Sequence, residues 1–194
     1  MKKVNNSRKH AEEPRQDRRV KYTKAALREA LVTLLAEQHI SKITVKALCD
    51  TADVNRSTFY AHYENQYDLL EQVEREVMVN LVAYLGSWQE NSVPISTQNL
   101  RGILEYARQS TRLFAALLGE NCGPGFQTKL SELVLLAPYA HNTDARKKAY
   151  LSTYGYNGCI SVLHLWLSGG AKEPTDEMAE FLMDVLSHGF SPYW

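Results

Sequence analysis

Apolar residues recur along this chain at three- and four-residue spacing, and no segment alternates apolar and polar positions convincingly enough to read as a strand. The first stripe, Leu27, Ala30, Leu31, Leu34 and Leu35, predicts a helix over Thr23–Gln38 with one buried face. A turn follows at residues 39–42. Thr44 is placed to cap a short second helix, Val45–Thr51, with Val45, Leu48 and Cys49 inward. A tight turn at Asp53 and Val54 leads to Asn55, another N-cap residue, which opens a third helix from Arg56 to about His62. Asn65, with Asp68 three residues on, echoes a capping box. It starts a long helix to about Trp88, striped by Leu69, Leu70, Val73, Val77, Leu81 and Leu85.

The segment 91–96, with Pro94, reads as a loop. Helical patterns follow at about 97–109 and 111–118, and the run Gly-Glu-Asn-Cys-Gly-Pro-Gly at 119–125 breaks them. Further helices are expected at about 126–137, ended by Pro138, and at about 143–168, stopped by Gly169 and Gly170. Thr175 is read as the N-cap of a last helix to about His188, with Asp176 and Glu177 in the first turn, where the helix dipole favours negative charge. The expected fold is all-α, about nine helices, without an internal repeat. Residues 1–21 lack periodic apolar positions and are expected to form a mobile basic arm.

Composition narrows the class. Of 194 residues 44% are apolar and 23% charged, ordinary globular usage. No apolar run approaches the roughly 20 residues that span a bilayer, and the polar N-terminus is not a secretory signal. Cys49, Cys122 and Cys159 form no paired framework, so a reducing cytoplasm is expected. The net charge of zero conceals an asymmetry. Residues 1–63 carry 13 Lys/Arg against 7 Asp/Glu, a net of +6, and residues 64–194 a net of −6. A basic first third fits a polyanionic partner, or simply a solubilising tail. There is no P-loop, strand-borne GxGxxG, HExxH or GxSxG, so no enzyme is expected. His141, His164 and Cys159 match no metal-ligand spacing, and neither metal nor cofactor is expected.

Three short helices, the second and third joined by a tight turn, form a helix-turn-helix layout. In the third, Val54, Phe59 and Tyr63 fall at core spacing. Arg56, Ser57, Thr58, Tyr60 and His62 fall largely on the other side. Such a face suits a DNA groove: Arg bonds guanine bidentately, Ser and Thr adapt to several base edges, and Tyr or His hold phosphate. Taken alone, the third helix is equally a small amphipathic helix with a polar outer face.

The whole stretch decides between these. Residues 43–70, ITVKALCDTADVNRSTFYAHYENQYDLL, resemble the DNA-binding signature of the TetR/AcrR family of transcriptional regulators without a gap, including the Thr-Phe-Tyr-x-His-Tyr core. The resemblance implies a DNA-binding domain over 22–66 and a helical ligand-binding and dimerisation domain over 67–194. It places Thr44 and Lys46 on phosphates, Arg56, Ser57 and Thr58 at the base edges, and Tyr60 and His62 on the backbone, with Asn55 also among the DNA-binding residues. Two positions depart from the pattern: Asp53 where glycine is usual in the turn, and Gln66 where lysine often starts the fourth helix. Asp tolerates left-handed backbone, so the turn is expected to survive. Arg15, Arg18, Arg19 and Lys21 in the arm are candidates to make up the lost phosphate contact.

Residues 154–170 and 177–182 are similar to a Firmicutes-type C-terminal domain that also occurs in activators of dihydroxyacetone-kinase operons. This implies a homodimer through the last two helices, where Gly155, Gly158 and Ser161 permit close approach. Tyr106, Phe114, Tyr150, Tyr154 and Cys159 are candidates to line an effector cavity, although such aromatics commonly serve as core. The expected function is a cytoplasmic, homodimeric regulator, a repressor rather than an activator. It binds a pseudo-palindromic double-stranded operator and is released by a small-molecule effector. The alternative is a co-activator of the same fold that acts through a partner protein.

Overall fold

The computed structural model describes residues 15–85, 96–133 and 144–189, and every regular element in them is helical. Nine α-helices run in chain order: α1 (Arg15–Leu35), α2 (Val45–Ala52), α3 (Arg56–Tyr60), α4 (Gln66–Leu85), α5 (Thr97–Gln109), α6 (Thr111–Leu118), α7 (Gly125–Leu133), α8 (Ala145–Ser168) and α9 (Thr175–His188). Single 3-10 turns occupy residues 40–42 and 120–122. Helix starts are set by side-chain oxygens on orphan N–H groups. Thr44 accepts from Ala47 N–H at 3.1 Å, Ser96 from Asn99 N–H at 3.1 Å and Asp144 from Lys147 N–H at 2.9 Å. At α4, Asn65 accepts from the N–H groups of Tyr67 and Asp68, while the Asp68 carboxylate reaches back to Glu64 N–H at 2.9 Å.

Three boundaries differ from the sequence expectation. Residues 15–21 are helical and belong to α1 rather than to a mobile arm. Arg, Gln and Lys are good helix formers that carry no apolar period, and periodicity cannot see them. α3 ends at Tyr60, with Ala61 and His62 in a turn. Pro174 rather than Thr175 caps α9; Thr175 is buried, and its hydroxyl reaches across to Glu105 Oε2 on α5 at 3.2 Å. Residues 1–14, the 91–95 loop, Pro138 and His141 lie outside the described residues.

The core is continuous. Leu27, Leu31, Leu48, Phe59 and Leu69 fill the N-terminal three-helix unit, and Leu104, Leu117, Phe126 and Leu167 fill the C-terminal part. α4 serves both: it runs about 30 Å, with Leu69 and Val73 toward the first unit and Val77 and Leu81 continuing the same buried stripe. At its far end Tyr84 stacks on Tyr106 of α5, centroids 5.5 Å apart. Gly102 allows this approach, because a Cβ there would lie 3.1 Å from the Tyr84 ring. α5 packs along α9, where Arg101 pairs with Asp176 at 2.6 Å, and α6 packs along α8. α1 is tied to the C-terminal part by Arg112, which pairs with Glu29 and donates to Thr33 Oγ1 at 3.1 Å, and by Asn121 Nδ2 on the Leu35 carbonyl at 2.8 Å.

One charge is buried in this core. Glu74 of α4 is 4% exposed and holds Lys129 Nζ of α7 at 2.7 Å. Cys122 points its thiol at the same carboxylate, 3.8 Å away, and burial followed by the Glu74 charge pushes that thiol up to about 12. Lys129→Met strands the carboxylate. Breaking a fully buried pair costs about 3–5 kcal/mol, but the Lys129 side chain is 40% exposed and water screens it. The expected loss in urea unfolding is about 1–3 kcal/mol, and Glu74→Leu together with Lys129→Met should recover most of it. Wild-type stability in the single variant would mean that water already satisfies the carboxylate.

Candidate nucleic-acid interface

The α2–turn–α3 unit is built by two caps and one strained residue. Asp53 ends α2 in the left-handed region, φ 52° and ψ 45°, the conformation that glycine would take without penalty. Its short side chain makes that backbone tolerable, and Val54 N–H closes the turn on the Cys49 carbonyl at 3.0 Å. Phe59, fully buried, and Tyr63, packed on it with ring centroids 5.5 Å apart, anchor α3 from below. Burial, then the Glu76 and Asp68 charges, push the Tyr63 phenol up to about 12. Opposite this anchor, Asn55, Arg56, Ser57 and Tyr60 are exposed, and Thr58 and His62 are half-buried. Tyr60 stands edge-on to Phe59, 59% exposed, and His62 stands edge-on to Tyr63.

Hydrogen bonding gives these groups more definite chemistry than their types alone. Asn55 Oδ1 accepts the Thr58 N–H at 2.9 Å and also the hydroxyls of Ser57 at 2.5 Å and Thr58 at 3.1 Å. Ser57 and Thr58 therefore turn oxygen lone pairs outward and act as acceptors, suited to exocyclic amino groups on base edges. Thr44 Oγ1 accepts the capping N–H and keeps its own proton to donate. Lys46 and Arg56 are exposed, and among the described residues neither has an ion-pair partner.

The effector candidates do not stay together. Tyr106, whose hydroxyl accepts from Asn80 Nδ2 at 2.9 Å, meets buried Phe114 at 5.3 Å, and Phe114 meets buried Phe126 at 6.5 Å. Cys159 is half-buried on α8, its thiol pushed up by burial to about 11. Tyr150 and Tyr154 are 66% and 65% exposed. They lie on the outward face of α8, so within one chain they line no interior cavity. Sequence reading missed Glu74 and Tyr156, whose half-buried hydroxyl donates to the Gln127 carbonyl and is pushed up to about 12 by burial. Glu74 left a signal: it interrupts the stripe Leu70, Val77, Leu81 at a core spacing. Tyr156 left none.

Among the described residues no helix is long and apolar enough to cross a membrane, and no three His, Cys, Asp or Glu residues gather to hold a metal.

This arrangement defines a helix-turn-helix regulatory protein. Residues 27–73 match the family model described as bacterial regulatory proteins, tetR family, and residues 96–188 match that described as transcriptional regulator C-terminal region. The chain belongs to the TetR family, whose members are DNA-binding transcriptional regulators and not enzymes. It is 33% identical over 171 residues to the uncharacterized HTH-type transcriptional regulator YxbF of Bacillus subtilis (strain 168). That match covers 84% of this chain but only 44% of YxbF, so the chain spans under half the length of that relative. Its fold is similar to a TetR transcriptional regulator from Streptococcus agalactiae 2603V, with TM-score 0.62, 24% identity and coverage of 88% and 97% of the two chains. It is similar also to the dihydroxyacetone kinase operon activator DhaS, with TM-score 0.51, 15% identity and coverage of 84% and 93%.

Asn55 can be tested apart from any ligand. Asn55→Ala removes the α3 cap and should cost about 1 kcal/mol in urea unfolding. Asn55→Asp keeps an acceptor oxygen and should stay near wild type. Equal losses in both would show that the amide, not the cap, is what matters.

Proposed function

We propose that the protein binds a pseudo-palindromic double-stranded operator as a homodimer and represses from it, in the cytoplasm, until a small-molecule effector releases it. The observation that carries this reading is the outer face of α2–α3, where Lys46 and Arg56 stand exposed without ion-pair partners among the described residues. Arg56, Ser57 and Thr58 read base edges. Thr44, Lys46, Tyr60 and His62 hold phosphates, and Asn55 keeps the helix start in shape. Two recognition helices one turn of B-DNA apart, about 34–36 Å, fit two half-sites.

The second copy is expected against α8. Tyr150, Tyr154, Gly158, Ser161 and Leu165 follow one another at spacings of four, four, three and four. Tyr150, Tyr154 and Leu165 are 66%, 65% and 74% exposed. A helix normally turns such a row inward, and small residues in its middle allow a partner helix close. Phe181 on α9, 38% exposed, extends the patch if α9 shares the seam. The effector reading rests on Tyr106, Phe114 and Cys159. An effector there would shift the population between half-site spacings that fit and do not fit the operator, through α4.

The co-activator alternative draws on Asp53, whose carboxylate in the turn is mildly unfavourable beside phosphate, and on Gln66. DNA selection on the purified protein separates the two readings. A pseudo-palindrome bound far above random DNA supports the operator reading, and weak salt-sensitive binding alone supports the partner-protein reading.

On the selected site, Arg56→Ala should cost about 1–3 kcal/mol and relax specificity at one base position. Lys46→Ala should weaken all sequences alike and lower the salt slope by about one. Equal losses on specific and random DNA for both variants would refute this division of labour. Tyr154→Glu with Leu165→Glu should convert the dimer to a monomer in light scattering, with secondary structure intact. A dimer that survives both charges places the interface elsewhere.

A further inference from the structure

The junction between the two parts of the chain contains an open cleft of about 690 Å³. Its walls come from α1 (Lys24, Arg28), from α4 (Gln72, Glu76) and from the corner between α5 and α6 (Arg108, Arg112). Its floor is apolar, formed by Ala25, Val32, Val73 and Leu113. The charge is uneven. Lys21 also lines the cleft, and five cations face two carboxylates, Glu29 and Glu76. Residues 64–194 are net acidic, yet two of their basic side chains are placed opposite the basic face of α1. Arg28 lies 3.7 Å from Glu76, and Arg112 is engaged by Glu29 and Thr33. Each guanidinium carries five N–H donors, so both keep donors beyond these contacts. Lys24 and Arg108 have no ion-pair partner among the described residues.

Like charges held in one concave site repel and attract a counter-ion, an effect that water partly screens because Arg108 and Arg112 are exposed. Arg forks match planar or tetrahedral oxyanions, and lysine adds a point charge. The volume falls in the range of ordinary small-molecule sites. We infer that this cleft binds a small organic oxyanion, a phosphate ester or polycarboxylate, with Lys24, Arg28, Arg108 and Arg112 as its charged contacts and the apolar floor beneath its carbon skeleton. Neither Tyr106 nor Phe114 lines this cleft. Because its walls belong to α1, α4 and the α5–α6 corner at once, an occupant ties the DNA-reading unit to the C-terminal part.

The test uses the full chain without DNA, so its outcome is independent of operator binding. Thermal unfolding is followed in pyrophosphate and in citrate, each against sodium chloride at equal ionic strength. Occupancy at about ten times Kd should raise the midpoint by about 3–5 °C. Titration calorimetry should show about tenfold weaker binding in Lys24→Gln/Arg108→Gln than in wild type. Lys172→Gln, which removes an exposed cation elsewhere, should bind as wild type does. A preference for pyrophosphate points to a phosphate ester and a preference for citrate to a polycarboxylate. No rise above the chloride control, or the same rise in the double variant, overturns the site.

Discussion

One helix runs along both halves of a single continuous core, and that constraint organises the molecule. α4 buries Leu69 and Val73 beside the N-terminal three-helix unit, then Val77 and Leu81 along the same stripe toward the C-terminal part. Each half of α4 is held by close packing, which resists gradual deformation. A helix also transmits rotation along its length, since every backbone hydrogen bond lies within it. The α2–α3 unit packs chiefly on α1, which itself meets α4 and α6, so its aim depends on α1 and α4 together.

Beside the apolar packing, several contacts at the junction are of another kind. Arg28 with Glu76, Arg112 with Glu29 and Asn121 with the Leu35 carbonyl are polar, and the two ion pairs are substantially exposed. Exposed pairs contribute roughly 0–1 kcal/mol each. They choose among orientations without enforcing one. Deeper inside, Glu74 with Lys129 and the Cys122 thiol spans α4, α7 and the 3-10 turn. Removing one member of that set is costly, whereas the exposed pairs can exchange partners cheaply. The junction thus combines a stiff element with weak, replaceable ties around it.

Much of this was legible in the residues. Period and caps located the helices, because Thr44, Asn55 and Asn65 each satisfy orphan N–H groups and leave a local signature. Asp53 in place of glycine was readable as a left-handed residue, since few other side chains accept that backbone. The first turns of α1 were not readable, because a helix of exposed Arg and Lys has no apolar period. Thr175 was misjudged as a cap because its partner, Glu105, lies 70 residues away in sequence. The outward placement of Tyr150 and Tyr154 depends on which side of α8 meets α6, which a stripe that is apolar nearly all round does not specify. For the same reason the interface residues were visible as types, while the sharing of Asn55 Oδ1 by two hydroxyls, which sets what Ser57 and Thr58 offer a base, required coordinates.

Gly102 gives the far end of α4 a significance of its own. A methyl group at that position would press on the Tyr84 ring from 3.1 Å, and the ring, stacked on Tyr106, must yield by a few tenths of an ångström. Tyr84 is 41% exposed, so its ring rather than the α4 backbone takes up that shift. Position 102 thus sets how closely α5 approaches the far end of α4, and a change there acts on that seam while every residue of the outer α2–α3 face stays the same.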